Sequence, residues 1–315
     1  MKHLILISSL LFLQNCIIPI IPGSSKAEWE EKYIEGRGKF KIVIIPVEGV
    51  ISDQASKDSI FGTVQDSMVA SIREQLRRAE HDSDVKGVIL KINSPGGGVT
   101  ASDVLYHEIM EFKKRKKVPV HSLFYDVAAS GGYYIAMASD HISAHPTTVT
   151  GSIGVIMRSF NAKEGLDKIG VKEQSYASGA NKNMGSPFSD VTPEAKQIYQ
   201  SVIDDMYEKF LFVVQKNRSK INPTDLRKLA DGRIYSSKQA LDKGLVDSVG
   251  YTQDAFDILQ KEIGEKCQII IYQRGKGRVE NVYQVTENPR STVDSFLERF
   301  PLLQTEIQFL YLWGV

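Results

Sequence analysis

Residues 118–135 read VPVHSLFYDVAASGGYYI: a strand over 118–125, then a segment around Ser130 that turns into a short helix. The first eight residues are rich in β-branched and aromatic side chains, as strands are. The chain then narrows to small residues around Ser130, and bulky ones resume through Met137. Working outward, FKIVIIPVEGV (40–50) and KGVILKI (86–92) are two more buried-strand runs. Between them, residues 66–80 place Met68, Ile72 and Leu76 at helical spacing. VTASDVLYHEIMEFKKRKK (99–117) predicts an amphipathic helix, with Lys113–Lys117 at the end where cations complement the helix dipole. Downstream, 141–145, 152–157 and 171–177 read as strands and 161–169 as a short helix. Residues 192–218 read as the longest helix, with Thr192 as N-cap and Pro193 at the first position. Strands alternating with helices imply parallel pairing and crossover helices, an α/β fold.

The chain has 315 residues, enough for a sizeable core in one large domain or two ordinary ones. Its formal net charge is +1, which argues against a nucleic-acid binder that works by bulk charge. Cys16 and Cys267 are too few and too far apart for a disulfide framework. Lys2 precedes a mainly apolar run, Leu4 to Pro22, close to the ~20 residues that span a bilayer. Three readings of this run stand side by side: a retained signal-anchor, a cleaved secretory signal, or a lipoprotein signal ending at Cys16. All three send the remainder across a membrane. The charge balance on the two sides favours a cytoplasmic N-terminus.

Three stretches can carry chemistry. NSPGGGVTASD (93–103) follows a strand and precedes a helix. Gly96, Gly97 and Gly98 allow successive amides to face one point, as in an anion nest or an oxyanion pocket, or else simply make a tight turn. No Lys-Ser/Thr pair follows, so a phosphate-binding loop is not implied. Ser130 is either the N-cap of the short helix or a nucleophile, with the Gly131 amide beside it. The surroundings are not GxSxG, because Ala128 stands at the first glycine position. A nucleophile needs a base, and no histidine lies near Ser130 in sequence. His141 and His145 share a strand face, but no cysteine or carboxylate pattern completes a metal site. Lys182, in SYASGANKNMGSPF (175–188), is either an exposed loop lysine or, if buried beside Ser130, an amine able to accept its proton.

Four motifs occur in order: INSPGGGV (92–99), VAASGGYYIA (127–136), TGSIGVI (150–156) and SGANKNMGSPF (178–188). Together they resemble the signal peptide peptidase A family of bacterial membrane proteases, over about residues 40–273. The resemblance implies a ClpP/crotonase-like superhelix of repeated ββα units, in the short, single-core form. It implies Ser130 as nucleophile and Lys182 as general base, with Ser152 orienting the lysine amine. It implies Gly97 and Gly131 as oxyanion donors. Remnant signal peptides and other unfolded apolar polypeptides are the implied substrates, and no metal, nucleotide or organic cofactor is implied. Members form homo-oligomers in which neighbouring subunits can share a site. The implied location is the bacterial cell membrane, with a single-pass anchor and an extracytoplasmic catalytic domain; secretion, or a lipid anchor at Cys16, is the alternative. Two rival functions remain: a crotonase-type acyl-CoA enzyme and a catalytically silent envelope scaffold. The expected divisions are a membrane segment and linker (1–37), a protease domain (38–275) and a tail (276–315) that packs on the core, joins an oligomer contact or touches membrane.

Overall fold

The computed structural model describes residues 28–57, 64–275, 279–285 and 308–314. The strands are β1 (Trp29–Gly36), β2 (Phe40–Glu48), β3 (Ser56–Lys57), β4 (Val64–Gln65), β5 (Val85–Ser94), β6 (Gly96–Gly98), β7 (Val120–Ala129), β8 (His141–Ala144), β9 (Val149–Gly151), β10 (Ile156–Arg158), β11 (Ile234–Ser236), β12 (Ser248–Val249), β13 (Cys267–Arg274) and β14 (Gln308–Leu312). The helices are α1 (Met68–His81), α2 (Val99–Lys116), α3 (Gly131–Ala136), α4 (Lys163–Lys168), α5 (Pro193–Asn217), α6 (Pro223–Leu229), α7 (Ser237–Asp242) and α8 (Thr252–Ile263).

The main sheet runs β1-β13-β2-β5-β7-β8-β12, with β9 on β7 and β11 on β9. From β13 to β12 every pair is parallel, as the alternation of strands and helices requires. Both faces are covered. Val43, Ile45, Val88 and Leu90 face a core shared with α1, α2 and α3; Ile42, Ile44 and Ile89 face Ala255, Phe256 and Leu259 of α8. That two-sided burial is why these strands read as continuous apolar runs instead of alternating ones.

Three stretches differ from the sequence reading. Of residues 152–157, expected as a strand, only Ile156 and Met157 lie in one, at the start of β10. Residues 29–36, placed in the linker, form β1 and pair antiparallel with β13. Residues 171–177, expected as a strand, have no regular structure and are all exposed. They have β-type composition but no sheet edge to join and no face to bury. The apolar run 4–22 lies outside the described residues. Among the described residues no helix is long and apolar enough to cross a membrane.

The long helix is capped as its sequence suggests: Thr192 Oγ1 accepts from the Ala195 amide at 3.1 Å. Its far end is tied to the sheet. Arg218 Nη1 lies 2.6 Å from Asp247 Oδ1, and Asp247 Oδ2 accepts from the Ile142 amide at 2.8 Å. Burial opposes the Asp247 charge, but the Arg218 hydrogen bond and charge outweigh it and hold the carboxyl below the usual range. The stabilisation is therefore complete above about pH 4, the unfolded value, and is lost as pH falls through the folded one. Asp247→Asn should lower stability by roughly 1–3 kcal/mol at pH 7, with a smaller difference from wild type at pH 3. Denaturant titrations at the two pH values check this.

Candidate active site

The fork in β7 builds the site. His121–Phe124 pair with β8, while Val127–Ala129 leave β8 and pair with β9 instead. The two strands end together, at Ser130 and Ser152. The Ser130 amide donates to the Gly151 carbonyl at 2.8 Å, and the Ser152 amide to the Arg233 carbonyl at 2.8 Å. Both serines have positive φ, 52° and 49°, where a Cβ is disfavoured.

Ser130 stands at the N-cap position of α3, but its side chain caps nothing. With ψ of −114° it holds a glycine-type conformation. It is 1% exposed, and its Oγ is buried with no hydrogen-bond partner among the described residues. A buried hydroxyl left unpaired costs about 1–3 kcal/mol, and the backbone strain costs a similar amount. A capping serine would avoid both costs.

Gly97 and Gly131 come together in front of it. Ile51 pins the glycine turn: its amide donates to the Gly96 carbonyl at 2.8 Å, and its carbonyl accepts from the Gly98 amide at 2.9 Å. The Gly97 amide is thereby turned away from Ile51. It lies 3.2 Å from the point a Cβ on Gly131 would occupy. The Gly131 amide is a first-turn donor of α3, with no partner within the helix. Two amides converging beside an unpaired hydroxyl match the donor arrangement of an oxyanion pocket, and the Gly97 one lies opposite Tyr311 of β14.

Three residues of this arrangement were not anticipated from sequence. Ser94 Oγ donates to the Gly49 carbonyl at 2.6 Å and accepts from the Gly96 amide at 3.1 Å. Ser102 Oγ donates to the Gly98 carbonyl at 2.9 Å and sits 2.5 Å from the Cβ position of Gly131. Ile51 acts through its backbone, from 46 positions before Gly97, and no residue type announces that. For the two serines the signal was present in NSPGGGVTAS, since both flank the glycines at hydrogen-bonding range.

Lys182 is elsewhere in this chain. It lies in a turn closed by its amide on the Gly179 carbonyl at 3.0 Å, and it is exposed. Among the described residues its Nζ has no hydrogen-bond or ion-pair partner, Ser130 included. From residue 154 to 194 no residue is buried, and Phe160, Ile169, Val171, Tyr176 and Phe188 are exposed. The histidines have other roles. His121 Nε2 meets Glu262 at 2.7 Å, and His141 Nε2 meets Ser248 Oγ at 2.9 Å. Burial lowers the His141 pKa. His145 packs on Tyr125 and Tyr251. Among the described residues no cluster of His, Cys, Asp or Glu could hold a metal ion.

Comparison with known proteins shows the family. The model of peptidase family S49 matches residues 112–266, and that of Clp protease matches residues 52–149. The "Putative signal peptide peptidase SppA" of Enterococcus faecium is 38% identical over 271 residues, covering 80% of this chain and 78% of the relative. The chain belongs to peptidase family S49. The family's spread is visible in two longer relatives. "Protease 4" of Haemophilus influenzae is 34% identical over 72% of this chain but only 35% of its own length. "Serine protease SPPA, chloroplastic" of Arabidopsis thaliana is 32% identical over 71% of this chain and 33% of its own. The S49 assignment makes the chain a serine peptidase with a Clp protease-like α/β domain.

Proposed function

We propose that this S49 peptidase is a membrane-associated endopeptidase that uses Ser130 and Lys182 as a dyad. The observation that carries the reading is Ser130: strained, buried, unpaired at Oγ, and faced by the Gly97 and Gly131 amides. Lys182 reaches it from a neighbouring copy. The stretch 154–194 supports this, because it leaves Ser152 and Ile153 with no buried residue and displays five large apolar side chains along the segment that carries the lysine. A surface of that kind is covered in an assembly. Docking would desolvate the Lys182 ammonium and favour the neutral amine.

The neutral amine takes the proton from Ser130 Oγ, which attacks the scissile carbonyl. The amides of Gly97 and Gly131 hold the oxyanion, and the Ser152 hydroxyl orients the amine. Protonated Lys182 then gives its proton to the leaving amine. Water, activated by the same amine, releases the acyl group. No metal, nucleotide or organic cofactor takes part. The substrates are remnant signal peptides and other unfolded apolar polypeptides, in line with the name of the Enterococcus relative. The apolar run 4–22 serves as the membrane anchor, with the catalytic domain on the extracytoplasmic side.

The test is hydrolysis of a fluorogenic apolar peptide by the full chain in detergent. Gly97→Ala probes the oxyanion pocket directly. Its Cβ would lie 2.1 Å from the Ile51 carbonyl oxygen, a backbone atom held by its own hydrogen bond, so the turn must move. Loss of one oxyanion donor should lower kcat by about 10²–10³-fold. An unchanged kcat would remove Gly97 from the pocket.

A further inference from the structure

β7 does not run straight to Ser130. Against β5, Ile92 pairs with Phe124 and Ser94 with Ala128, so two steps along β5 answer four along β7. The extra residues form a bulge over Tyr125, Asp126 and Val127, the one part of β7 that is not buried. The bulge lies where the strand changes partners. Pairing with β8 ends at Phe124, and pairing with β9 begins at Val127. A bulge bends its strand and interrupts the ladder, so backbone groups there need other partners.

Two side chains supply them. On the β5 side, Asn93 Oδ1 accepts from the Val127 amide at 3.2 Å. On the β9 side, the buried Thr148 hydroxyl donates to the Tyr125 carbonyl and lies 3.1 Å from the Phe124 carbonyl oxygen. An acceptor on one side and a donor on the other thus replace the interrupted ladder. Asn93 also faces the other half of the site. Its carbonyl accepts from the Gly49 amide at 2.9 Å, and the Gly49 carbonyl accepts from Ser94 Oγ at 2.6 Å. Gly97 stands four residues after Asn93, and Ser130 three residues after Val127. One residue therefore ties the turn that carries the Gly97 amide to the strand end that carries the nucleophile.

We propose that Asn93 is a positioning residue of the peptidase: its carboxamide clamps the β7 bulge and so aims Ser130 at the Gly97 and Gly131 amides. Thr148 is its counterpart on the other side of the strand. The inference rests on Ser130 as the nucleophile. Nucleophile and oxyanion donors must keep a fixed separation, because a displacement of about 1 Å costs about 10²-fold in rate. The clamp also accounts for the strain at Ser130. A serine at φ 52° persists only where the surrounding bonds over-determine it, and these bonds lie just upstream of it.

The test is steady-state hydrolysis of a fluorogenic apolar peptide by full-length protein in detergent, with Asn93→Leu, Asn93→Asp and Thr148→Val. Leucine keeps the size of asparagine without the acceptor, aspartate keeps the acceptor, and valine keeps the shape of threonine without the donor. Asn93→Leu and Thr148→Val should each lower kcat by about 10–10²-fold with KM within about two-fold of wild type, and Asn93→Asp should stay within about three-fold of wild-type kcat. Melting temperatures give a second readout. Ser130→Gly should raise that of the wild-type chain, and should raise that of Asn93→Leu by less than about half as much, since the bond that imposes the strain is gone. If Asn93→Leu does not fold, Thr148→Val takes its place in both comparisons. An unchanged kcat in Asn93→Leu, an aspartate no better than leucine, or a melting gain that is absent from wild type or undiminished in Asn93→Leu would each overturn the clamp while the peptidase reading stands. Wild-type protein that cleaves no peptide would overturn the Ser130 reading and the clamp with it.

Discussion

Ser130→Ala abolishes peptide hydrolysis, by roughly 10⁴-fold or more, and leaves the fold intact. Ser130→Gly is equally inactive but melts at a higher temperature than wild type. The two expectations have one cause. Ser130 holds φ 52° and ψ −114° with its hydroxyl buried and unpaired. Glycine relieves the backbone strain and removes the stranded hydroxyl. Against this, it costs about 0.5–1 kcal/mol of unfolded-chain entropy. The net gain is at least about 1 kcal/mol, or at least roughly 2–4 °C in a domain of this size. Scanning calorimetry and a peptide assay on the same three proteins make the test. If Ser130→Gly melts below wild type, the strain is not real; if either variant keeps activity, Ser130 is not the nucleophile.

Lys182→Ala is also inactive alone, and mixing it with Ser130→Ala restores activity. The reason is the placement of Lys182 on an exposed stretch with no hydrogen bond to Ser130 in its own chain. If each site takes its serine from one subunit and its lysine from the next, random mixing of equal amounts leaves about one site in four complete. The expected recovery is therefore about a quarter of wild-type activity after exchange. It should disappear on dilution below the assembly's dissociation constant. Two inactive variants that recover nothing after verified exchange would place both residues in one chain. An active Lys182→Ala would end the dyad altogether.

Much of the fold was legible because local rules agree with global ones here. The apolar runs 40–50, 86–92 and 118–125 became β2, β5 and β7, since a strand buried on both faces must be apolar throughout. The helix over 192–218 announced its start through Thr192-Pro193. Residues 171–177 failed because strand composition cannot supply a partner strand. Residues 29–36 failed in the opposite sense: WEEKYIEG is polar enough for a linker, yet β13 offered it an unpaired edge.

The site divides in the same way. The sequence by itself determined which residue types were present and in what order: a serine among small residues, three glycines after a strand, a lysine in a small-residue loop. Tertiary structure alone decided that Gly97 and Gly131 converge, that Ser130 caps no helix, and that Lys182 lies away from it. Those facts depend on φ angles, on Ile51 pairing with a turn 46 positions later in the chain, and on β7 dividing its pairing between β8 and β9. The pairing of β14 with β6 spans a longer separation still, setting Tyr311 of the tail opposite Gly97. Contacts of that separation are closed by packing of the whole domain, and no local pattern encodes them.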